Sequence, residues 1–438
     1  MIIFSQVCLA ARVVSITESG ITAAKINTSG HCDASVTTGE RRFMSLKWAF
    51  LIIVFTAARR HGGCGYRRKS CTTMAIPPVS KLSFPDLNIP APGTVTAVGP
   101  GVMWLRMPLP FDLNHINLYL LEDHDGWFVV DTGLGGNRTQ GHWESIFDHC
   151  LAGKPVKGII VTHLHPDHVG QAGFISERWR APLWMTRTEY FTARALSSAP
   201  SEASQWPVQQ HYQRSGISPE LQQQAVQAEG GFSGFICPLP RAYRRLQHDD
   251  RLTINGNNWR VMVGRGHAPE HACLYAEELG LLISGDQILP NITPNISVYS
   301  TEPEANPLAD YLDSLQQFRA LADSTLVLPA HNLPFYGVGH RVQQLIDHHR
   351  QKLDTLLAAT GKPKSAAELM PALFKRELSP HQTMFALGEC LAHLHYLMYR
   401  GDLQRELDDR DIYRYRSTRP QAQATTAAVP ASATPTRV

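Results

Sequence analysis

The stretch Val161-Thr-His-Leu-His-Pro-Asp-His-Val-Gly170 constrains this 438-residue chain more than any other. Three histidines and a carboxylate, His163, His165, Asp167 and His168, follow directly on an apolar run. Lys157-Gly-Ile-Ile-Val-Thr162 reads as a buried strand, and Pro166, with no amide hydrogen to give a ladder, stops it. The polar side chains therefore sit on the turn where a strand gives out. His163 and His165 are two apart, so they can face one side as the strand ends. Asp167 and His168 follow round the bend towards a second point. Imidazoles and a carboxylate converging on one turn suit a borderline metal ion such as zinc. A lone histidine here would read as an ordinary loop residue; four potential ligands at this spacing do not.

Other strands end in the same way. His115–Glu122 and Trp127–Asp131 form a hairpin around the Asp123–Gly126 turn, and the second strand closes on Asp131-Thr-Gly133. Gly141–Ala152 and Gln171–Arg180 read as helices, and Pro182–Thr186 as a strand. Strands return at Arg251–Ile254, Trp259–Val263, Ala272–Ala276, Gly280–Ser284 and Thr325–Leu328, with an amphipathic helix over Pro307–Leu321. His267 lies in Gly264-Arg-Gly-His-Ala-Pro-Glu-His271, Asp286 in Ser284-Gly-Asp-Gln287, and His331 in Pro329-Ala-His-Asn332. Between these segments, residues 189–247 are rich in Gln, Ser, Pro and Gly, with helical pieces at Glu189–Leu196 and Pro219–Glu229. The segment is a candidate lid, with a solvated helical excursion as the alternative.

Net charge is +3 but uneven. Residues 1–73 hold ten Lys/Arg against three acids, leaving 31 against 35 over residues 74–438. That balance argues against a phosphate-backbone binder, and no DNA partner is expected. The eleven-residue, mainly apolar run at Trp48–Ala58 is shorter than the roughly 20 residues a spanning helix needs, so no stable membrane insertion is expected. Residues 1–73 read as a disordered extension ahead of a functional start at Met74, with a targeting segment as the alternative. Cys150, Cys237, Cys273 and Cys390 have no paired spacing, which fits a reducing, cytoplasmic setting. Beyond residue 340, Val342–Ala359, Ser365–Phe374 and Pro380–Arg400 read as three helices followed by a hairpin over Gly401–Tyr415. Residues 341–416 thus form a small helical, winged-helix-like domain whose third helix is too apolar to read DNA and suits packing or a homodimer. Residues 417–438 read as a disordered tail.

His163-x-His165-x-Asp167-His168, then His267, Asp286 and His331, in this order and each at a strand end, resembles the metallo-β-lactamase superfamily over Val95 to His340. The resemblance implies an α/β fold, an αββα sandwich over residues 74–340 with its site along one rim. Asp286 resembles the bridging carboxylate of the glyoxalase-II-like and lactonase-like branches. The helical C-terminus resembles a β-lactamase-like protein group that contains a mitochondrial endoribonuclease. Carried across, the family's roles give His163, His165 and His267 to one metal, and Asp167, His168 and His331 to the other, with Asp286 and a hydroxide bridging. Two zinc ions are expected, with iron or manganese as alternatives. Asp167 would accept a proton, and Asp131 would support a ligand histidine. His271 reads as structural. The expected activity is hydrolysis of a small ester, thioester or lactone; the alternatives are a metal-dependent RNA endonuclease and a non-catalytic metal-binding protein.

Overall fold

The computed structural model describes residues 14–17, 20–23, 81–198, 205–229 and 231–418. Most of the expected extension, and the tail beyond residue 418, lie outside them. The chain divides into two units, Met1–Thr73 and Met74–Val438. In the first, β1 (Val14–Thr17) and β2 (Gly20–Ala23) pair antiparallel.

In the second unit, strand periodicity creates the layers. A seven-stranded sheet runs in sequence order: β3 (Thr96–Gly99), β4 (Val102–Pro108), β5 (His115–Asp123), β6 (Gly126–Val130), β7 (Val156–Ile160), β8 (Leu183–Thr186) and β9 (Arg244–Leu246). A five-stranded sheet holds β10 (Arg251–Ile254), β11 (Asn257–Gly264), β12 (His271–Ala276), β13 (Leu281–Gly285) and β14 (Leu326–Pro329). Side chains alternate across each strand, and here both faces are apolar. On β5, Ile116, Leu118 and Leu120 face outward into one core while Tyr119 and Leu121 face the other sheet. On β12, Ala272 and Leu274 face the first sheet while Cys273 and Tyr275 face outward. Sheets buried on both faces need helices outside them.

The outer core of the first sheet is covered by α1 (Asn137–His149) and α3 (Ala172–Trp179), the latter preceded by the single turn α2 (Pro166–Val169). After β8 come α4 (Arg187–Leu196), α5 (Trp206–Ser215) and α6 (Pro219–Glu229). The outer face of the second sheet is covered by α7 (Pro307–Ser314), α8 (Gln316–Arg319), α9 (Val338–Ala359), α10 (Ala366–Leu373) and α11 (Pro380–Tyr399). The expected α/β sandwich is therefore present, and its C-terminal helices share one core with β12–β14: Val342, Leu345, Leu387, Leu391 and Leu394 pack with Leu282 and Val327. The hairpin β15 (Leu403–Leu407) and β16 (Tyr413–Ser417) follows.

Two elements differ from their sequence reading. The single helix expected over Pro307–Leu321 is broken after Ser314, whose hydroxyl donates to the Tyr311 carbonyl and accepts from the Arg265 amide at 3.1 Å each. Such side-chain bonds compete with the helix ladder. Within the expected insertion, β9 pairs parallel with β8 and completes the first sheet; three residues are too few to display alternation.

α9 and α11 carry a buried histidine pair. His393 Nδ1 donates to the Glu389 carbonyl at 2.7 Å, so its Nε2 must accept from His349 Nδ1 at 3.1 Å. This bond needs the accepting ring, His393, neutral. Burial, then the neighbouring ring, pushes His349 down to about 2; burial pushes His393 down to about 3. The unfolded chain, with histidine near 6.5, binds more protons below that pH, so stability is full above about pH 6.5 and falls as pH drops. Urea unfolding at pH 7 and pH 5 is expected to differ by about 2 kcal/mol for each of these two histidines. His349→Gln is expected to show a visibly shallower pH dependence.

Candidate metal centre

The site grows from the C-terminal ends of β6, β7, β11, β13 and β14. Asp131, one residue past β6, takes a left-handed backbone with φ of 59°. Its Oδ1 accepts the Thr162 amide at 2.7 Å, and its Oδ2 accepts the Thr162 hydroxyl and His168 Nδ1 at 2.8 Å each. One carboxylate thus anchors the start of the histidine turn and aims His168 Nε2 inward. The Thr162 hydroxyl, already donating to Asp131, accepts from His163 Nδ1 at 3.0 Å. His267 Nδ1 donates to the Asn295 carbonyl and His331 Nδ1 to the His115 carbonyl, both at 2.8 Å. In four of the histidines Nδ1 is spent on a fixed partner, which leaves the Nε2 lone pair for the site. His165 instead turns Nδ1 inward, 2.9 Å from His163 Nε2.

The donor atoms fall into two groups, each within 4.8 Å internally: His163, His165, His267 and Asp286; and Asp167, His168 and His331. Asp286 touches both. Its Oδ2 lies 3.5 Å from His267 Nε2 and from His168 Nε2, while its Oδ1 lies 3.4 Å from His331 Nε2. Asp167 Oδ2 is 3.4 Å from His331 Nε2. Burial opposes charge throughout and, with the neighbouring histidines, holds His163 well below its ordinary value and His165 at about 3. Around the carboxylates the Coulomb attraction outweighs burial. Asp131, Asp167 and Asp286 lift His168 well above the usual range, and Asp286 and Asp167 lift His331 to about 10. His168 and His331 in turn hold Asp167 at about 2 and Asp286 well below a normal carboxyl. His168 Nε2 and Asp286 Oδ1 are buried without a hydrogen-bond partner. Such atoms are costly to leave unsatisfied, and a cation between them fits nitrogen and oxygen donors of this kind.

All seven ligand candidates read from the sequence, and Asp131 beside them, converge on this rim. His271 stands behind it: its Nε2 accepts the Asp286 amide at 3.0 Å, and its ring stacks on His163 with centroids 4.7 Å apart. Close packing explains Gly285, where an added Cβ would meet His271 Nε2 at 2.6 Å. His115 has a structural role, with its Nε2 accepting the Asn332 amide at 3.1 Å. Sequence reading missed the cross-sheet supports. Asn117 Nδ2 donates to the Pro329 and Asn332 carbonyls at 3.0 and 2.9 Å, and the Tyr119 hydroxyl to Pro329 at 2.8 Å, so β5 holds the loop that carries His331. The loop after Asp286 is held by the C-terminal helices. Buried Arg341 on α9 donates to the Leu289 and Ile292 carbonyls at 2.6 and 2.8 Å, and the Val298 amide donates to the Gly388 carbonyl of α11 at 3.1 Å. Nothing in the local spacing of these residues announces such contacts.

The metallo-beta-lactamase superfamily pattern matches residues 112–331, half of the chain, and a metallo-beta-lactamase-like C-terminal domain matches residues 353–418. The chain belongs to the metallo-beta-lactamase superfamily. Its resemblance to a beta-lactamase domain protein from Burkholderia ambifaria is 44% in sequence with a TM-score of 0.72, covering 77% of this chain and 98% of that one. A probable metallo-hydrolase of Bacillus subtilis, YqjP, is 24% identical over 68% of this chain and 92% of its own length. A Gallus gallus protein named acyl-coenzyme A thioesterase MBLAC2 is 25% identical over 53% of this chain and 78% of its own length. This member of the superfamily is accordingly a metal-binding hydrolase by family. Among its described residues, no helix is long and apolar enough to cross a membrane.

Asp131→Asn keeps a residue that tolerates the left-handed backbone but weakens the hold on His168. It is expected to lower zinc affinity at the second donor group by about 10- to 100-fold, read by competition with a chromophoric chelator.

Proposed function

We propose that this chain is a dinuclear metal hydrolase that cleaves a small acyl thioester, with esters and lactones as the related substrates. The observation that carries the reading is the Asp286 carboxylate, with one oxygen towards His267 and the other towards His331. A carboxylate set between two donor groups can serve both at once. On this reading His163, His165 and His267 hold one ion, Asp167, His168 and His331 hold the other, and Asp286 serves the two. The donor set favours zinc and also accepts iron or manganese. When bound, a pair of such ions supplies Lewis acidity and a nucleophile usable at neutral pH.

The protein's own groups provide the rest. Asp167 is the more exposed carboxylate of the cluster, with 20% of its side chain accessible against 10% for Asp286. It can take a proton from the attacking water and return it to the leaving group. Asp131 acts through His168 and meets no substrate. Thioester chemistry is favoured because the Gallus gallus relative is named as an acyl-coenzyme A thioesterase. A thiol leaving group, with an ordinary pKa near 8.5, also asks less of the acid at Asp167 than an alkoxide does.

Elemental analysis of the purified chain, paired with turnover of an acyl thioester, a lactone, a phenyl ester and a labelled RNA, tests the reading. About two metal ions per chain and cleavage of the carbonyl substrates are expected, with thioester fastest. Chelation abolishes turnover and zinc restores it. Asp167→Asn is expected to weaken the second ion and, measured with zinc in excess, to lower kcat by about 100- to 10,000-fold. RNA cleavage with every carbonyl substrate untouched would overturn the assignment in favour of a nuclease.

A further inference from the structure

We propose that Glu189 is a positioning residue for the metal centre, a carboxylate clamp that sets the spacing between the two loops supplying the first donor group. The inference rests on the metal-centre reading above. His163 and His165 lie on the turn after β7, in the first sheet, whereas His267 lies on the loop between β11 and β12, in the second. The donor group is therefore assembled across two sheets. Glu189 stands in the first turn of α4, its side chain fully buried. Its Oε2 accepts the Leu164 amide at 2.9 Å, and its Oε1 accepts the Glu270 amide at 2.7 Å. Leu164 is the residue between His163 and His165, and Glu270 is three residues beyond His267.

Neighbouring contacts tighten the same join. The Thr186 hydroxyl donates to the Glu270 carbonyl at 2.8 Å, and the Thr188 amide donates to Glu270 Oε2 at 2.9 Å. The start of α4 thereby holds the His267 loop by backbone and side chain, and Glu189 carries that hold across to the histidine turn. A carboxylate suits this place because its two oxygens can accept from two converging amides. Glutamine cannot: one end of its side chain is itself a donor and would face an N–H. Burying a carboxylate is costly, and the two hydrogen bonds that Glu189 accepts both come from amides of ligand-bearing loops. Its return is the fixed distance between two ligand-bearing loops.

The test uses the full chain and zinc as the probe. Wild type, Glu189→Gln, Glu189→Asp and Tyr190→Phe are compared for zinc affinity against a competing chelator and for the rise in Tm on adding zinc to chelator-stripped protein. Tyr190→Phe is the control. It removes a hydroxyl that donates to the Pro240 carbonyl at 2.8 Å, on the same helix but away from both loops. The clamp predicts that Glu189→Gln weakens the tighter-affected zinc site by about 10- to 100-fold and shrinks the zinc-induced rise in Tm, while Tyr190→Phe leaves both unchanged. Glu189→Asp, which keeps two acceptor oxygens on a shorter arm, is expected to fall between, and carries the comparison if the glutamine variant does not fold. A lower Tm in stripped and loaded protein alike, with zinc affinity at the wild-type level, would make Glu189 merely structural and overturn the proposal. Wild type that binds no zinc would instead overturn the metal-centre reading itself.

Discussion

A buried carboxylate, Asp131, is the contact on which the site depends. Five buried imidazoles in one place are unfavourable unless each presents a lone pair in a fixed direction, and direction is set by what the other ring nitrogen does. Asp131 fixes His168 directly and His163 through the Thr162 hydroxyl. It does so from a left-handed backbone conformation that is uncommon outside glycine. Strain of this kind persists where surrounding structure over-determines it, and here three hydrogen bonds to one carboxylate do so.

The same logic extends outward by carbonyls. His267 and His331 are oriented by backbone oxygens of Asn295 and His115, so their aim is only as good as the loops that carry those oxygens. Asn117 and Tyr119 brace the loop at His331 from the opposite sheet. Arg341 and Gly388, from two C-terminal helices, brace the loop that contains Asn295. Gly388 is required there because an added Cβ would meet Ser297 Oγ at 2.8 Å. The C-terminal helices are thus tied to the centre although they supply no ligand to it. They also cover the apolar outer face of the second sheet, which would otherwise be left in water.

How much of this was legible beforehand follows from the range of each interaction. The individual strands and helices could be read from their apolar runs and periods, whereas their stacking as a sandwich was implied only by the resemblance to the superfamily. His163, His165, Asp167 and His168 could be read because they crowd one turn, and Asp131, His267, Asp286 and His331 because each closes a strand beside a glycine or proline. Elements with weak local signals were missed or blurred: β9 is three residues long, and the break at Ser314 depends on a partner 49 residues away.

The chain by itself determined the strands and helices and the ligand types that close the strands, since those depend on periodicity and on strand ends; the layers and the shared rim were implied by the resemblance to the superfamily. Only the tertiary structure decided the distances at which Asp286 faces the two donor groups, that Thr162 relays Asp131 to His163, and that Glu189 joins two loops from different sheets. Each of those is a hydrogen bond or close approach between residues far apart in sequence. No spacing encodes it; the folding of two sheets against each other creates it.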